Sequence, residues 1–386
     1  MIAISLQGVD NLEIYLDNSA TTKPCREATD AMLHMLTENY GNPSSLHKKG
    51  VEASKALETA RSQVASALSC SKEEIYFTPS GTAANNTAIF GAVNANKRKG
   101  NRIITTAIEH PSVSECMKRL EEQGFEIIRL KPDINGSFSL SELMNAINQK
   151  TILISIMAVN NEIGTVNPVS QIKTALRRAD SSALIHVDAV QAFGKIPLNP
   201  AKSGIDLMSV SSHKIHGPKG AGALYIRKGL SIKPYLVGGG QERGIISGTE
   251  AMPAIIGFGA AVDALPSLTK ELENVRSVRD HFVSEVTKIG GVHINSPADA
   301  LPYIINLSVL GVPSQTIVNS LSEYGIYVSA GSACKKGHRS EVLTATGLDG
   351  KRIDSAIRIS LSRYTTKKDM DEVVDAINRI VMRIRR

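Results

Sequence analysis

The sequence predicts an α/β protein: a mainly parallel seven-stranded sheet with helices on both faces, followed by a smaller α+β part. Three observations predict it. Seven short runs rich in β-branched residues alternate with stretches of helical periodicity. Most of these runs are continuously apolar rather than alternating, as in strands covered on both faces. The pattern then changes after about residue 258.

Taken in order, the strands of the large sheet read as EIYFT (74–78), RIITTA (102–107), FEIIRL (125–130), TILISIMAV (151–159), ALIHVDA (183–189), DLMSVSS (206–212) and GALYIR (222–227). Helical patterns lie between them, for instance at 45–68 and 167–179. A long helical stretch is expected over 259–288, then strands near 303–309, 326–330 and 356–362. The spacing of Met370, Val373, Val374, Ile377, Val381 and Ile384 predicts a closing helix over 367–384 with one apolar stripe. The expected division is a large unit over 15–258 and a small one built from 1–14 and 259–386.

Composition bounds the function. Trp is absent and aromatics are 4%, so the core is aliphatic. The N-terminal stretch lacks a basic region and a long apolar run, and no apolar stretch reaches the ~18 residues of a membrane span. Neither a signal peptide nor a membrane segment is expected. The four cysteines (Cys25, Cys70, Cys116, Cys334) form no C-x-x-C pair, so no metal site is expected, and their scatter fits a reducing cytoplasm. The net charge of +7 is spread over 97–100, 335–339 and 378–386. That reads as a solvated surface, and no nucleic-acid-binding motif argues for direct contact with RNA or DNA.

Chemistry-bearing residues follow the strands. TPSGTAANN (78–86) opens a helix, so Ser80, Gly81 and Thr82 would present N–H groups and hydroxyls to an anion, most naturally a phosphate. His110 follows the second strand, Asn161 the fourth, and Asp188 ends the fifth with Gln191 three residues on. Ser211, His213 and Lys214 close the sixth, where an ammonium needs a partner or a reaction. Singly, each has a plain structural reading: an N-cap, a packed histidine, an ion pair. Together, on one sheet edge, they match one ligand, pyridoxal 5′-phosphate. Its aldehyde takes Lys214, its pyridine nitrogen Asp188, its phosphate the helix N-terminus with Ser211 and His213, and its flat ring His110. A nicotinamide dehydrogenase is disfavoured, because no G-x-G-x-x-G follows the first strand.

The set GNPSSLH (41–47), TPSGTAANN, EH (109–110), NNEIG (160–164), HVDAVQ (186–191), SSHKIHGPKG (211–220), GGGQERG (238–244), SGT (247–249) and AGSAC (330–334) resembles the NifS/IscS-type cysteine desulfurases, class-V aminotransferases of fold-type I. The resemblance runs from about Tyr15 to the C-terminus. It implies that Lys214 carries the cofactor, that Asp188 and Gln191 address the pyridine nitrogen and phenolic oxygen, and that His110 stacks on the ring and serves in acid/base work. It implies phosphate contacts from Gly81, Thr82, Ser211 and His213, with Thr249 reaching the neighbouring subunit's phosphate, hence a homodimer. Asn161 is expected to touch cofactor and substrate, and Arg358 to grip the substrate carboxylate. The expected reaction removes sulfur from L-cysteine, leaving alanine and a persulfide on Cys334. The sulfur then passes to an acceptor for iron–sulfur cluster assembly or tRNA thiolation. A selenocysteine lyase or another aminotransferase-like enzyme is the alternative that the same ring contacts allow. Cys334 lies among Lys335, Lys336, His338 and Arg339, cations that favour a thiolate. The chain differs from many relatives at Pro79, Ala83 and Ile246, and in a shorter stretch after Cys334.

Overall fold

The computed structural model describes residues 13–330 and 339–384. Its strands are β1 (Ile14–Tyr15), β2 (Ile75–Thr78), β3 (Arg102–Thr106), β4 (Glu126–Leu130), β5 (Thr151–Met157), β6 (Leu184–Asp188), β7 (Leu207–Ser211), β8 (Gly222–Ile226), β9 (Val292–Ile294), β10 (Ile304–Val309), β11 (Ile326–Tyr327) and β12 (Ala356–Ser360). Seven of them form one sheet in the order β2-β8-β7-β6-β5-β3-β4. Only β8 runs antiparallel to its neighbours. The other six share a direction, so β2, β3, β5, β6 and β7 end on one edge.

The continuous apolar runs are explained by what covers the sheet. Ile104, Ile154, Ile185, Met208 and Ala223 turn to one buried cluster. Their neighbours Ile103, Leu153, Leu184, Leu207 and Leu224 turn to another on the opposite face. Each large aliphatic side chain buried this way contributes roughly 1.5–3 kcal/mol. Helix Gly81–Asn96 covers one face and is apolar nearly all round, with Ala84, Ala88, Ile89, Phe90, Ala92 and Val93 buried.

The second sheet is small and antiparallel, in the order β12-β10-β9, and β1 pairs in parallel with β11. The 326–330 strand expectation shrinks to two residues because the chain leaves β1 and turns to β12. There Ser329 and Arg358 exchange backbone hydrogen bonds of 3.1 and 2.7 Å. The single helix expected over 259–288 is instead two, Met252–Asp263 and Leu268–Val286, bent by 84°. Pro266 lies in the break. No single helix among the described residues is long and apolar enough to cross a membrane. The closing helix Lys367–Ile384 buries Met370, Val373, Ile377 and Val381 as expected. It also buries Ile380, whereas Ile384 is exposed at the helix end.

GGGQERG has a structural job. Glu242 is buried and makes a two-pronged ion pair with Arg61 at 2.7 and 2.9 Å, and its carboxylate also accepts from the Phe77 N–H. Arg243 lies over the Tyr76 ring, 3.9 Å from its centroid. Helix Lys48–Ala67, edge strand β2 and the segment leading to SGT are thereby tied together. Removing either charge would strand the other in a water-poor site.

Candidate active site

A cavity of about 250 Å³ opens at the sheet edge where the parallel strands end. Gly81, Thr82, His110, Asn161, Asp188, Gln191, Ser211, His213 and Lys214 all line it, together with Ser80, Ser112, Met157 and Val159. Ten of the residues singled out from sequence, Ser80 included, thus meet in one place.

Each wall has a local cause. Ser80 caps helix Gly81–Asn96, its hydroxyl accepting from the Ala83 N–H at 3.1 Å. The N–H groups of Gly81 and Thr82, in the first turn, have no acceptor within the helix and belong to the cavity wall. A Cβ at position 81 would lie 2.7 Å from the Val190 Cγ2 and 3.3 Å from the Ser211 Cβ, so glycine keeps this corner open. Ser211 Oγ and Gln191 Oε1, both on residues lining the cavity, are buried without a hydrogen-bond partner among the described residues. Unspent buried polar atoms cost about 1–3 kcal/mol each, so a polar ligand here would relieve them. These features fit a phosphate and a polar aromatic ring.

Asp188 is buried at the end of β6, accepting from the Val190 N–H at 3.0 Å and from Asn85 Nδ2 at 2.8 Å. Lys214 ends the short turn after β7, and its ammonium donates to the carbonyls of Ser19 and Ala20. Burial holds its pKa down to about 7, with Lys195 and Arg358 adding repulsion. Burial likewise lowers the His110 pKa, and it holds His213 down to about 4 with Lys214 and Lys219 assisting. Both imidazoles are therefore neutral at pH 7.

Lys195, buried with its ammonium 5.4 Å from the Tyr303 ring centroid, is the cation that repels Lys214 most. A lysine with a depressed pKa is mostly neutral above that value, so the apoprotein should capture an aldehyde at a constant rate above about pH 8. Below pH 7 the rate should fall about tenfold per unit. Lys195→Met removes a neighbouring positive charge, so the profile should move to higher pH. A profile that stays in place would show that Lys195 does not set it.

Arg358 does not line the cavity; it adjoins it from β12. One guanidinium nitrogen donates to the Asn161 carbonyl at 2.9 Å and another pairs with Asp17 Oδ1 at 2.7 Å, leaving Nε buried and unpartnered. Thr249 lies apart from the cavity and is exposed. Cys334, Lys335, Lys336 and His338 lie outside the described residues. Arg339 is described, and its guanidinium is bound two-pronged to Asp354 at 2.7 Å. That pair is largely exposed to solvent. Beside it, Ser340 Oγ donates to the buried Glu162 at 2.5 Å.

The other three cysteines are free thiols. Burial pushes Cys70 and Cys116 up to about 12 and raises Cys25. None is a ready thiolate. Among the described residues, no group of three or more His, Cys, Asp or Glu is placed to hold a metal.

Sequence reasoning missed several participants. The loop Asp17–Lys23 supplies backbone carbonyls to Lys214 and accepts from Gln191 Nε2 at Ser19 O, 2.9 Å. Backbone acceptors leave no mark in residue chemistry. Asn85 and Ser112 were also missed, although Asn85 lies within TPSGTAANN and Ser112 two residues after His110. Their spacing from Gly81 and His110 was the available signal.

The chain matches the aminotransferase class-V family over residues 14–373. It is 42% identical to a protein named cysteine desulfurase IscS from Methanosarcina thermophila, over 97% of this chain and 94% of that one. Among solved structures, a NifS-like protein superposes with a TM-score of 0.91 at 39% identity, covering 96% of this chain and all (100%) of the other. A structure titled SspA in complex with cysteine superposes with a TM-score of 0.82 at 33% identity, covering 92% and 100%. With the sheet order, the edge cavity and this full-length likeness in agreement, the chain belongs to the class-V aminotransferase family.

Proposed function

We propose that the protein is a cysteine desulfurase that uses pyridoxal 5′-phosphate to take sulfur from L-cysteine. The observation that carries this reading is the meeting of Lys214, Asp188, His110 and a helix N-terminus on one cavity, in a chain 42% identical to a desulfurase. When bound, the cofactor supplies an electron-accepting ring that stabilises negative charge at the substrate α-carbon.

The chain's own residues do the rest. Lys214 anchors the aldehyde carbon, Asp188 holds a proton on the pyridine nitrogen, and Gln191 hydrogen-bonds the phenolic oxygen. Gly81, Thr82, Ser211 and His213 hold the phosphate, and His110 covers the ring. Asn161 contacts cofactor and substrate. Arg358 takes the substrate carboxylate, which must share the guanidinium with Asp17. Once released by substrate, Lys214, whose pKa burial holds down to about 7, moves the α-proton. Cys334 Sγ then bonds to the substrate sulfur as the Cβ–S bond breaks; the bonding pair stays with the carbon skeleton, which takes a proton at Cβ, regains one at the α-carbon and leaves as alanine.

The division into a large unit (15–258) and a small one (1–14 and 259–386) puts Cys334 on the small unit and the cofactor on the large one. The persulfide sulfur passes to an acceptor protein, for iron–sulfur cluster assembly or tRNA thiolation. The free thiols of Cys25, Cys70 and Cys116 favour a cytoplasmic setting. A homodimer is supported by apolar side chains left in water: Leu33, Leu36, Tyr40, Leu46 and Val51, with Tyr235, Leu236 and Val237. The exposed Thr249 follows the second group in sequence, as a residue reaching a partner's phosphate requires. Sedimentation at micromolar concentration should give twice the chain mass, and Leu46→Glu with Val237→Glu should halve it. A wild-type monomer would remove Thr249 from the site.

The activity is tested by adding L-cysteine to the holoprotein and measuring alanine and sulfur. One alanine per sulfur is expected. Alanine without sulfur transfer, or turnover of selenocysteine alone, would replace this reading with another cofactor chemistry.

A further inference from the structure

Asn85 is fully buried in the helix Gly81–Asn96. Its amide nitrogen makes two hydrogen bonds of 2.8 Å, one to Asp188 Oδ2 and one to Ser112 Oγ. The carboxylate decides which way the amide points, because turning the amide oxygen toward Asp188 would set two acceptors together. The Asn85 oxygen is accordingly left without a partner, a cost the arrangement carries. Ser112 Oγ, already accepting from Asn85, has its own proton to give, and His110 Nδ1 lies 2.8 Å away. The Ser112 backbone N–H donates to that same nitrogen at 3.1 Å. Two donors converge on Nδ1, so the ring's single proton sits on Nε2.

We propose that Asn85 and Ser112 are positioning residues that join Asp188 to His110 in one directed hydrogen-bond relay. The relay orients the carboxylate, and it fixes His110 as the Nε2–H tautomer at the cavity wall. A proton on Nδ1 would face the Ser112 N–H and a hydroxyl already committed to Asn85, so the imidazole presents a donor from Nε2 and nothing from Nδ1. The relay thus sets together the two groups assigned above to opposite parts of the cofactor ring, and in that sense rests on the proposed function. Neither residue touches the reacting atoms through this network; each acts through its neighbour.

The test uses the full chain labelled with nitrogen-15 histidine, with and without pyridoxal 5′-phosphate, as wild type, Ser112→Ala, Ser112→Thr and Asn85→Leu. In wild type the His110 Nε2 signal should show the directly bound proton and Nδ1 should show an acceptor. Ser112→Ala and Asn85→Leu should both move the Nδ1 signal in the direction of lost hydrogen bonds, and Ser112→Thr should restore it. Cofactor affinity should fall about tenfold in Asn85→Leu, which removes the donor to Asp188 Oδ2 and leaves only the Val190 N–H on Oδ1, and by less in Ser112→Ala, which keeps both. A merely structural role would not separate the two readouts in this way. A wild-type proton on Nδ1, or an Nδ1 signal unmoved in Ser112→Ala, overturns the relay even if Asn85→Leu fails to fold. Failure of the wild type to take up the cofactor would instead strike the proposed function, and the His110 signals of the unloaded chain would still decide the relay.

Discussion

Lys214→Ala should lose turnover of L-cysteine by more than about a thousandfold, with the visible absorbance of the lysine-bound cofactor gone. The size of the effect follows from the cavity's inventory. Lys214 is the only lysine among the described residues that line it. Lys195 cannot deputise, because it is buried against the Tyr303 ring. Burial holds the Lys214 pKa down to about 7, so a large share of the amine is uncharged at pH 7, whereas Lys214→Arg stays charged and should be as inactive as the alanine variant. The fold should survive. The Asp17–Lys23 loop that Lys214 touches is also held by Gln191 and by Thr22, whose N–H donates to the His213 carbonyl at 2.9 Å. Retained colour and turnover in a folded Lys214→Ala protein would move the cofactor to another amine.

Cys334→Ser should reduce sulfur release by a comparable factor while leaving cofactor absorbance unchanged. A hydroxyl of ordinary pKa is a far weaker nucleophile toward sulfur than a thiolate, and only the sulfur-accepting step is altered. The matching alanine variants of Cys25, Cys70 and Cys116 should keep near-normal rates, since burial keeps those thiols protonated. Cys334 itself lies outside the described residues, but its flanks are placed. Ser329 is tied to the Arg358 backbone and Ser340 to Glu162, next to Asn161 in the chain. The segment carrying Cys334 therefore begins and ends beside the residues assigned to the substrate. Stopped-flow absorbance alongside sulfide and alanine assays would separate a lost acceptor from a damaged cofactor site. Full-rate desulfuration in Cys334→Ser would assign sulfur transfer elsewhere.

The large sheet was legible because its signal is strong and local. Runs such as TILISIMAV are apolar throughout, and the structure covers both faces of them. Lys214 and Asp188 were legible for the opposite reason: ionisable groups at the ends of buried strands require an explanation. What escaped was non-local or chemically silent. The break between Asp263 and Leu268 does carry a local mark, Pro266, but helical periodicity runs across it. The partner of Arg358 is Asp17, at the far end of the chain. His186 of HVDAVQ has a purely structural place: it is sealed between Ser155 and Ser209 of neighbouring strands at 2.8 and 3.0 Å, and burial lowers its pKa to about 3.

The claim on which the rest depends is that sulfur leaves cysteine above Lys214 and arrives on Cys334. Mass spectrometry of peptides from the holoprotein, quenched with an alkylating agent after brief exposure to L-cysteine without acceptor, measures this directly. The account predicts one extra sulfur atom on the peptide containing Cys334, in step with the alanine formed in the first turnover, and none in Lys214→Ala. Extra sulfur on the peptides of Cys25, Cys70 or Cys116 instead, or alanine formed with no protein-bound sulfur, would contradict it.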